Sequence, residues 1–172
     1  MKLKKLGVNV DIGMGINGSR YNSFVNNTRN ITLNTAPSVR LGLGKNKDKK
    51  FNLWYNAEIA YNFSKTIVGQ TTTINYWTQS HNLNFTVQLP WKMELNTEME
   101  INLRQKTEQF PDNNNVWLWN GYIGKKIFKN DKGLIKLYAY DILNQNVGFN
   151  RFVLANQFTE RNYQTLTQYA LL

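Results

Sequence analysis

The chain has 172 residues, 41 % of them hydrophobic and 13 % aromatic, carries a formal charge of +10 and contains no cysteine. That length suits one domain, 1–172; the apolar content argues against disorder, and the missing cysteines exclude a disulfide frame and any thiolate metal site. The positive balance allows nucleic acid, anionic lipid or lipopolysaccharide as partners without choosing among them.

Period-two alternation begins at once. Leu6, Val8, Val10, Ile12, Met14 and Ile16 alternate with Gly7, Asn9, Asp11, Gly13, Gly15 and Asn17, so an extended segment here has one apolar face and one small or polar face. The start, MKLKKLGVNV, has neither a long apolar stretch nor a small-residue cleavage site and does not read as a signal peptide. A second strand over 30–44 is less regular. The third, over 50–65, sets Phe51, Leu53, Tyr55, Ala57, Ile59, Tyr61 and Phe63 against Asn52, Asn56, Glu58 and Asn62. Strands four and five, 71–89 and 92–106, sort Leu83, Phe85, Val87, Leu95, Met99 and Ile101 from Asn82, Asn84, Glu94, Glu98 and Glu100. Strands at 115–128, 133–142 and 163–172 complete eight. The lysine clusters, Lys2 to Lys5, Lys45 to Lys50 and Lys125 to Lys136, mark wet turns or ends.

The connections alternate in length. Residues 19–29, 66–70, 107–114 and 143–162 read as longer loops, and 45–50, 90–91 and 129–133 as tight turns. Outer-membrane barrels show this pattern, with short periplasmic turns and longer external loops. The fold class is therefore all-β, an antiparallel transmembrane barrel or partial barrel meander of about eight strands. Three features turn the apolar face toward lipid. Carboxylates and amides sit mid-strand on the other face, the first strand's polar face is rich in glycine, which relieves crowding in a narrow barrel, and Trp77, Trp91, Tyr122, Phe128 and Tyr138 lie near strand ends as interface belts require. On this reading Phe51, Leu53, Tyr55, Leu83, Phe85, Val87, Leu95 and Ile101 face lipid, while Asn52, Glu58, Asn84, Glu94, Glu98 and Glu100 face the concave side.

Catalytic signals are absent. His81 is the sole histidine, stands beside Ser80 without an evident partner, and reads as a surface or girdle residue. Glu94, Glu98 and Glu100 share a strand face but no histidine or aspartate accompanies them, so pairing with Arg104 and other lumenal cations is the expected role. Gly-Lys spacing near Lys45 lacks the phosphate-loop pattern. No enzyme activity, cofactor or metal is expected, and no nucleic-acid motif is visible. Candidate contacts on the long loops are Arg20, Tyr21, Phe24, Arg29, Phe110, Asp112, Phe149, Arg151 and Phe152, because loops have the reach that tight turns lack.

The segment 118–146 carries a resemblance. Trp119, Gly124, Lys125 and Lys126, the Lys129–Gly133 turn, and the stretch through Tyr138, Tyr140, Asp141, Leu143, Asn144 and Gln145 closely resemble the C-terminal part of the outer-membrane β-barrel family of Bacteroidota, grouped with TonB-dependent receptor-like proteins. The preceding hairpin, 83–100, is similar as well. The resemblance implies a place in the Gram-negative outer membrane among lipid and lipopolysaccharide, the remainder of a larger barrel as neighbour, and a link to the TonB system through regions outside this chain. It implies a barrel segment with receptor or transport ancestry. Two other readings stand beside it: a complete small eight-stranded structural or adhesive barrel, and a soluble β-sheet binding module.

Overall fold

The computed structural model describes residues 2–3, 5–47, 50–68, 70–108, 110–112, 115–146, 148–154, 157–163 and 165–172. Its strands are β1 (Lys2–Leu3), β2 (Val8–Val25), β3 (Thr28–Lys47), β4 (Phe51–Val68), β5 (Gln70–Leu89), β6 (Met93–Arg104), β7 (Val116–Ile127), β8 (Gly133–Tyr140), β9 (Gly148–Leu154), β10 (Gln157–Tyr163) and β11 (Tyr169–Leu171). Every neighbouring pair is antiparallel, and nine strands form one sheet in the order β1 through β8 and then β11. β9 and β10 form a separate hairpin. The eight expected strands correspond to β2–β8 and β11, with β1 a two-residue addition. The sheet is open: among the described residues β2 and β11, near its two edges, do not pair with one another. Among the described residues no helix is long and apolar enough to cross a membrane.

Several expected loops are strand instead. Residues 19–29 are not a long loop: β2 runs to Val25, β3 starts at Thr28, and Asn26 and Asn27 alone make the turn. Both have positive φ, 48° and 60°, as a two-residue hairpin of the I′ type requires and as asparagine tolerates. The 66–70 connection is equally tight, with Val68 paired to Gln70. The 143–162 loop contains the β9–β10 hairpin, and the last strand, expected over 163–172, shrinks to three residues at Tyr169–Leu171. The extension was hidden because Ser19, Asn22, Ser23, Thr28 and Arg29 supply no hydrophobic alternation, yet their backbones pair as well as any others. Alternation of loop length therefore fails for the first two long connections. The segregation of connections survives: those joining β2 to β3, β4 to β5, β6 to β7 and β8 to β11 share one end, while those joining β3 to β4, β5 to β6 and β7 to β8 share the other.

The strands β2 to β5 have 18 to 20 residues each, about twice what a tilted strand needs to cross a bilayer. Their surplus lies at the hairpin end, where the sequence turns to Asn, Ser and Thr. At Gly13 and Gly15 an added Cβ would meet ordinary contacts, the nearest atoms 3.9 and 3.6 Å away. Gly121 is a tight position within the sheet: an added Cβ would stand 2.8 Å from the Asn96 carbonyl oxygen. Gly121→Val is expected to force β6 and β7 apart and cost about 1–3 kcal/mol, read as a lower urea midpoint of the lipid-reconstituted chain. An unchanged midpoint would show that the strands yield freely there.

Candidate functional site: an apolar belt and a polar interior

Register decides which side chains share a face. Following partner residues from β2 to β8 collects Met14, Val39, Ile59, Gln79, Leu103 and their alternating neighbours on one surface without a break. That surface holds Val10, Ile12, Ile16, Leu41, Leu43, Phe51, Leu53, Leu83, Phe85, Val87, Leu95, Ile101, Trp117, Trp119, Ile123, Ile135 and Leu137. Many of its large apolar residues are exposed, Met14 to 83 % and Ile16 to 72 %. A soluble sheet buries such residues; here they face outward.

The belt runs diagonally. The apolar run of β4, Phe51 to Phe63, is centred on Ala57, which pairs with His81, whereas the run of β5 is centred on Leu83. The run of β7, Trp117 to Ile127, is centred on Tyr122, which pairs with Asn96 and not with the β6 midpoint at Glu98. From β4 to β8 the midpoints step by two, one, two and one residues in a constant direction. The total is about six residues over four strand spacings, roughly 20 Å along the strands against 19 Å across them. That slope, roughly 45°, is close to the tilt of strands in a transmembrane barrel, about 35–45°. An apolar belt lying flat in a membrane on tilted strands must drift in this way.

The opposite face is polar and concave. Asn17, Asn34, Asn62, Tyr76 and Arg104, from five consecutive strands, line one cavity of about 350 Å³. On a flat sheet the outermost of those strands would be about 19 Å apart. The hydrogen-bonded side chains converge here. Arg40 donates to Glu58 at 2.8 Å, Asn62 to Thr78 at 2.9 Å, Ser64 to Asn34 at 2.7 Å and Asn84 to Glu98 at 3.0 Å. Glu94 accepts from the Tyr122 hydroxyl at 2.5 Å and also from Gln88, whose own oxygen accepts from Lys126 at 2.8 Å. Four buried oxygens, on Asn30, Thr32, Asn52 and Asn96, have no protein partner among the described residues. A hydrated interior accommodates such atoms; a lipid-facing surface does not.

The residues singled out from sequence distribute as follows. Glu94, Glu98 and Glu100 all lie on the polar face, but Glu100 accepts from Asn102 at 2.8 Å and none of the three pairs with Arg104. The Arg104 guanidinium instead lies 4.1 Å above the Tyr76 ring and 5.5 Å from Phe110, because the register sets amides opposite the carboxylates. His81 does have a partner: its Nδ1 is 2.8 Å from the Tyr55 hydroxyl, a cross-strand contact invisible without the register. Tyr122 and Tyr138 belong to the interior, not to an interface girdle, and pack 4.7 Å apart with the Lys136 ammonium 3.9 Å from the Tyr122 ring. Among the described residues no three His, Cys, Asp or Glu side chains gather as a metal site.

Of the loop candidates, Arg20, Phe24 and Arg29 are exposed on the β2–β3 extension, Tyr21 is half-buried and Asp112 is exposed. Phe110 is buried and presents nothing outward. Phe149, Arg151 and Phe152 sit in β9, and their side chains lie outside the described residues.

The resemblance-bearing stretch has an evident structural task. Asp141 is buried with φ of 49°, and its carboxylate accepts from the backbone N–H of Gln145 at 2.8 Å and of Asn146 at 3.1 Å. Asn144, φ 55°, donates its N–H to the Asp141 carbonyl at 2.8 Å. Asn146 Nδ2 then donates to the Leu166 carbonyl and Gln168 Nε2 to the Ile142 carbonyl, both at 3.0 Å. These bonds close a neck beneath the β9–β10 hairpin. Asn120, whose side-chain oxygen accepts the Asp141 N–H at 2.8 Å, and Trp119, whose carbonyl accepts from Ile142 at 2.8 Å, fasten the neck to β7. Tyr138 and Tyr140 stack 5.3 Å apart, and Tyr140 stacks on Tyr169 at 4.6 Å. Leu143 remains exposed. Asn120 and Asn146 lie within the resembling segment without being singled out, and Gln168 lies outside it; each acts through a partner more than 15 residues away.

An open antiparallel sheet with a diagonal apolar belt on one face and a polar, concave opposite face has the form of a partial β-barrel. The outer membrane protein beta-barrel family matches residues 10–172, and the chain belongs to that family. No curated protein and no solved structure matches the chain.

Proposed function

We propose that this chain is a non-enzymatic wall segment of a larger outer-membrane barrel, of TonB-dependent receptor-like ancestry. The observation that carries the reading is the diagonal apolar belt on an open sheet. Among the described residues β1 pairs with β2 at Val8 and Asn9, and from Ile12 onward β2 offers a long row of backbone groups with no strand on its outer side. Unpaired backbone groups within lipid are strongly unfavourable, so further strands must flank this sheet. The polar concave face then lines a larger hydrated interior, in keeping with receptor or transport ancestry, and the TonB link runs through other regions of the assembly. The family fits an outer-membrane location, with lipid against the belt and lipopolysaccharide around the hairpin end. The short turns face the periplasm and the hairpin end faces outward, where Arg20, Phe24, Arg29 and Asp112 are the exposed candidates for external contact.

Cysteine pairs test the larger-wall reading against a complete small barrel. Asn17→Cys combined with Ala170→Cys places one thiol near each edge. In the membrane-inserted chain no intramolecular disulfide between them is expected. Efficient closure of any such edge pair would identify a small closed barrel instead. Labelling of intact cells tests sidedness: reagent should reach the 143–162 excursion and spare the 45–50 turn until cells are opened.

A further inference from the structure

We propose that the short-turn end is a lysine–aromatic rim that seats on anionic phospholipid headgroups; this rests on the membrane-wall reading above. The three turns with their adjoining strand ends, 45–50, 90–92 and 125–132, contain nine lysines, of which Lys126 turns inward to Gln88 and is left out of the rim, against two aspartates, whereas the whole chain carries a net charge of only +10. The hairpin end spreads its charge over far more residues. Such a density of ammonium groups at one level of a barrel matches a layer of phosphate headgroups.

The rim's geometry faces that layer. Lys45, Lys47 and Lys125 stand on the apolar face by register. Lys125 lies between Ile123 and Ile127 in the belt, and its ammonium bends away to the Trp91 carbonyl at 2.7 Å. This is the snorkelling expected of a lysine rooted in hydrocarbon with its charge at the interface. Lys45 lies 5.9 Å over the Phe51 ring at the belt's lower margin. Lys50, Lys129 and Lys132 are exposed at the turns.

Two aromatic tips complete the rim. Trp91 is 80 % exposed and Phe128 72 %, and both have left-handed backbones, φ 59° and 66°. That conformation is unfavourable for bulky side chains, yet both turns hold it and thrust the ring outward. The Lys92 ammonium joins Asp131 at 2.8 Å, fastening the first aromatic turn to the second. The same hydrogen bond holds the Asp131 carboxyl below its ordinary range. Exposed Trp and Phe beside lysines are the residues that settle at a headgroup boundary.

Because short barrel turns face the periplasm, the partner is the phospholipid leaflet and not the lipopolysaccharide leaflet. The test uses the full chain reconstituted in phosphatidylcholine bilayers, with spin-labelled phosphatidylglycerol and phosphatidylcholine as probes of the lipid touching the protein. Phosphatidylglycerol should be selected about fivefold or more at low salt, and the preference should fade as salt rises. The combined variant Lys45→Gln, Lys47→Gln, Lys125→Gln, Lys129→Gln should fall to near parity while immobilising as much total lipid as the parent. Arg20→Gln with Arg29→Gln, at the opposite end, should keep the selectivity. Parity in the parent chain, or equal loss in the arginine variant, overturns the rim. Selection of lipid A over phosphatidylglycerol through the same lysines overturns the leaflet. A chain that immobilises no lipid at all refutes the membrane-wall reading and the rim with it.

Discussion

Phe85→Lys should destabilise the membrane-inserted chain by about 2–4 kcal/mol. Phe85 lies two residues from Leu83, the midpoint of the β5 apolar run, and on the same face. The bilayer midplane therefore passes close to it, where a cation loses most of its solvation. The Phe51 ring, 6.2 Å away, cannot shelter an ammonium from lipid. The neighbouring change Asn84→Lys points into the hydrated face beside Glu98 and should cost far less. Urea unfolding in lipid vesicles compares the two, and equal losses at both positions would contradict the assignment of faces.

Asp141→Ala should cost about 2–4 kcal/mol and loosen the neck under the β9–β10 hairpin. Its carboxylate is buried and satisfies the N–H groups of Gln145 and Asn146. Hydrogen bonds to a charged group contribute roughly 1.5–3 kcal/mol each, and two on one carboxylate are not additive. Alanine also fits poorly at φ of 49°, where aspartate and asparagine are the better tolerated side chains. Limited proteolysis reads the effect: cleavage within 143–168 should accelerate at least tenfold while the belt strands stay protected. Asp141→Asn keeps one acceptor and the backbone preference, and should fall between. Unchanged cleavage in Asp141→Ala would show that the neck is held from elsewhere.

The central strands were legible because their apolar residues repeat every second position, and the register keeps all of them on one face. Phe51 to Phe63 and Met93 to Leu103 are such runs, and their strands appear close to the expected bounds. The extensions at Ser19 to Val25 and at Thr28 and Arg29 were not legible. Their alternation is between polar residues, and the two asparagines of the turn resemble loop composition. Which face is wet needed the curvature, shown by five strands meeting around Asn34 and Arg104. The partners of His81, Glu98 and Arg104 needed cross-strand register, since nothing in local sequence puts Tyr55 beside His81 or Tyr76 beneath Arg104. The conspicuous stretch ending at Gln145 was visible as a resemblance, but its work as a neck appears only when Asp141 meets two backbone donors.

Accessibility of single spin labels along β5, from Trp77 to Leu89 in the lipid-reconstituted chain, tests the membrane wall most directly. Odd-numbered positions, including Leu83, Phe85 and Val87, should meet oxygen dissolved in the bilayer and be hidden from an aqueous nickel chelate. Even-numbered positions, including Asn82, Asn84 and Thr86, should meet the chelate and little oxygen. The two profiles should oscillate with period two and opposite phase. Odd positions shielded from both reagents, with no oxygen maximum at Leu83, would mean that the apolar face is buried in protein and would contradict the wall.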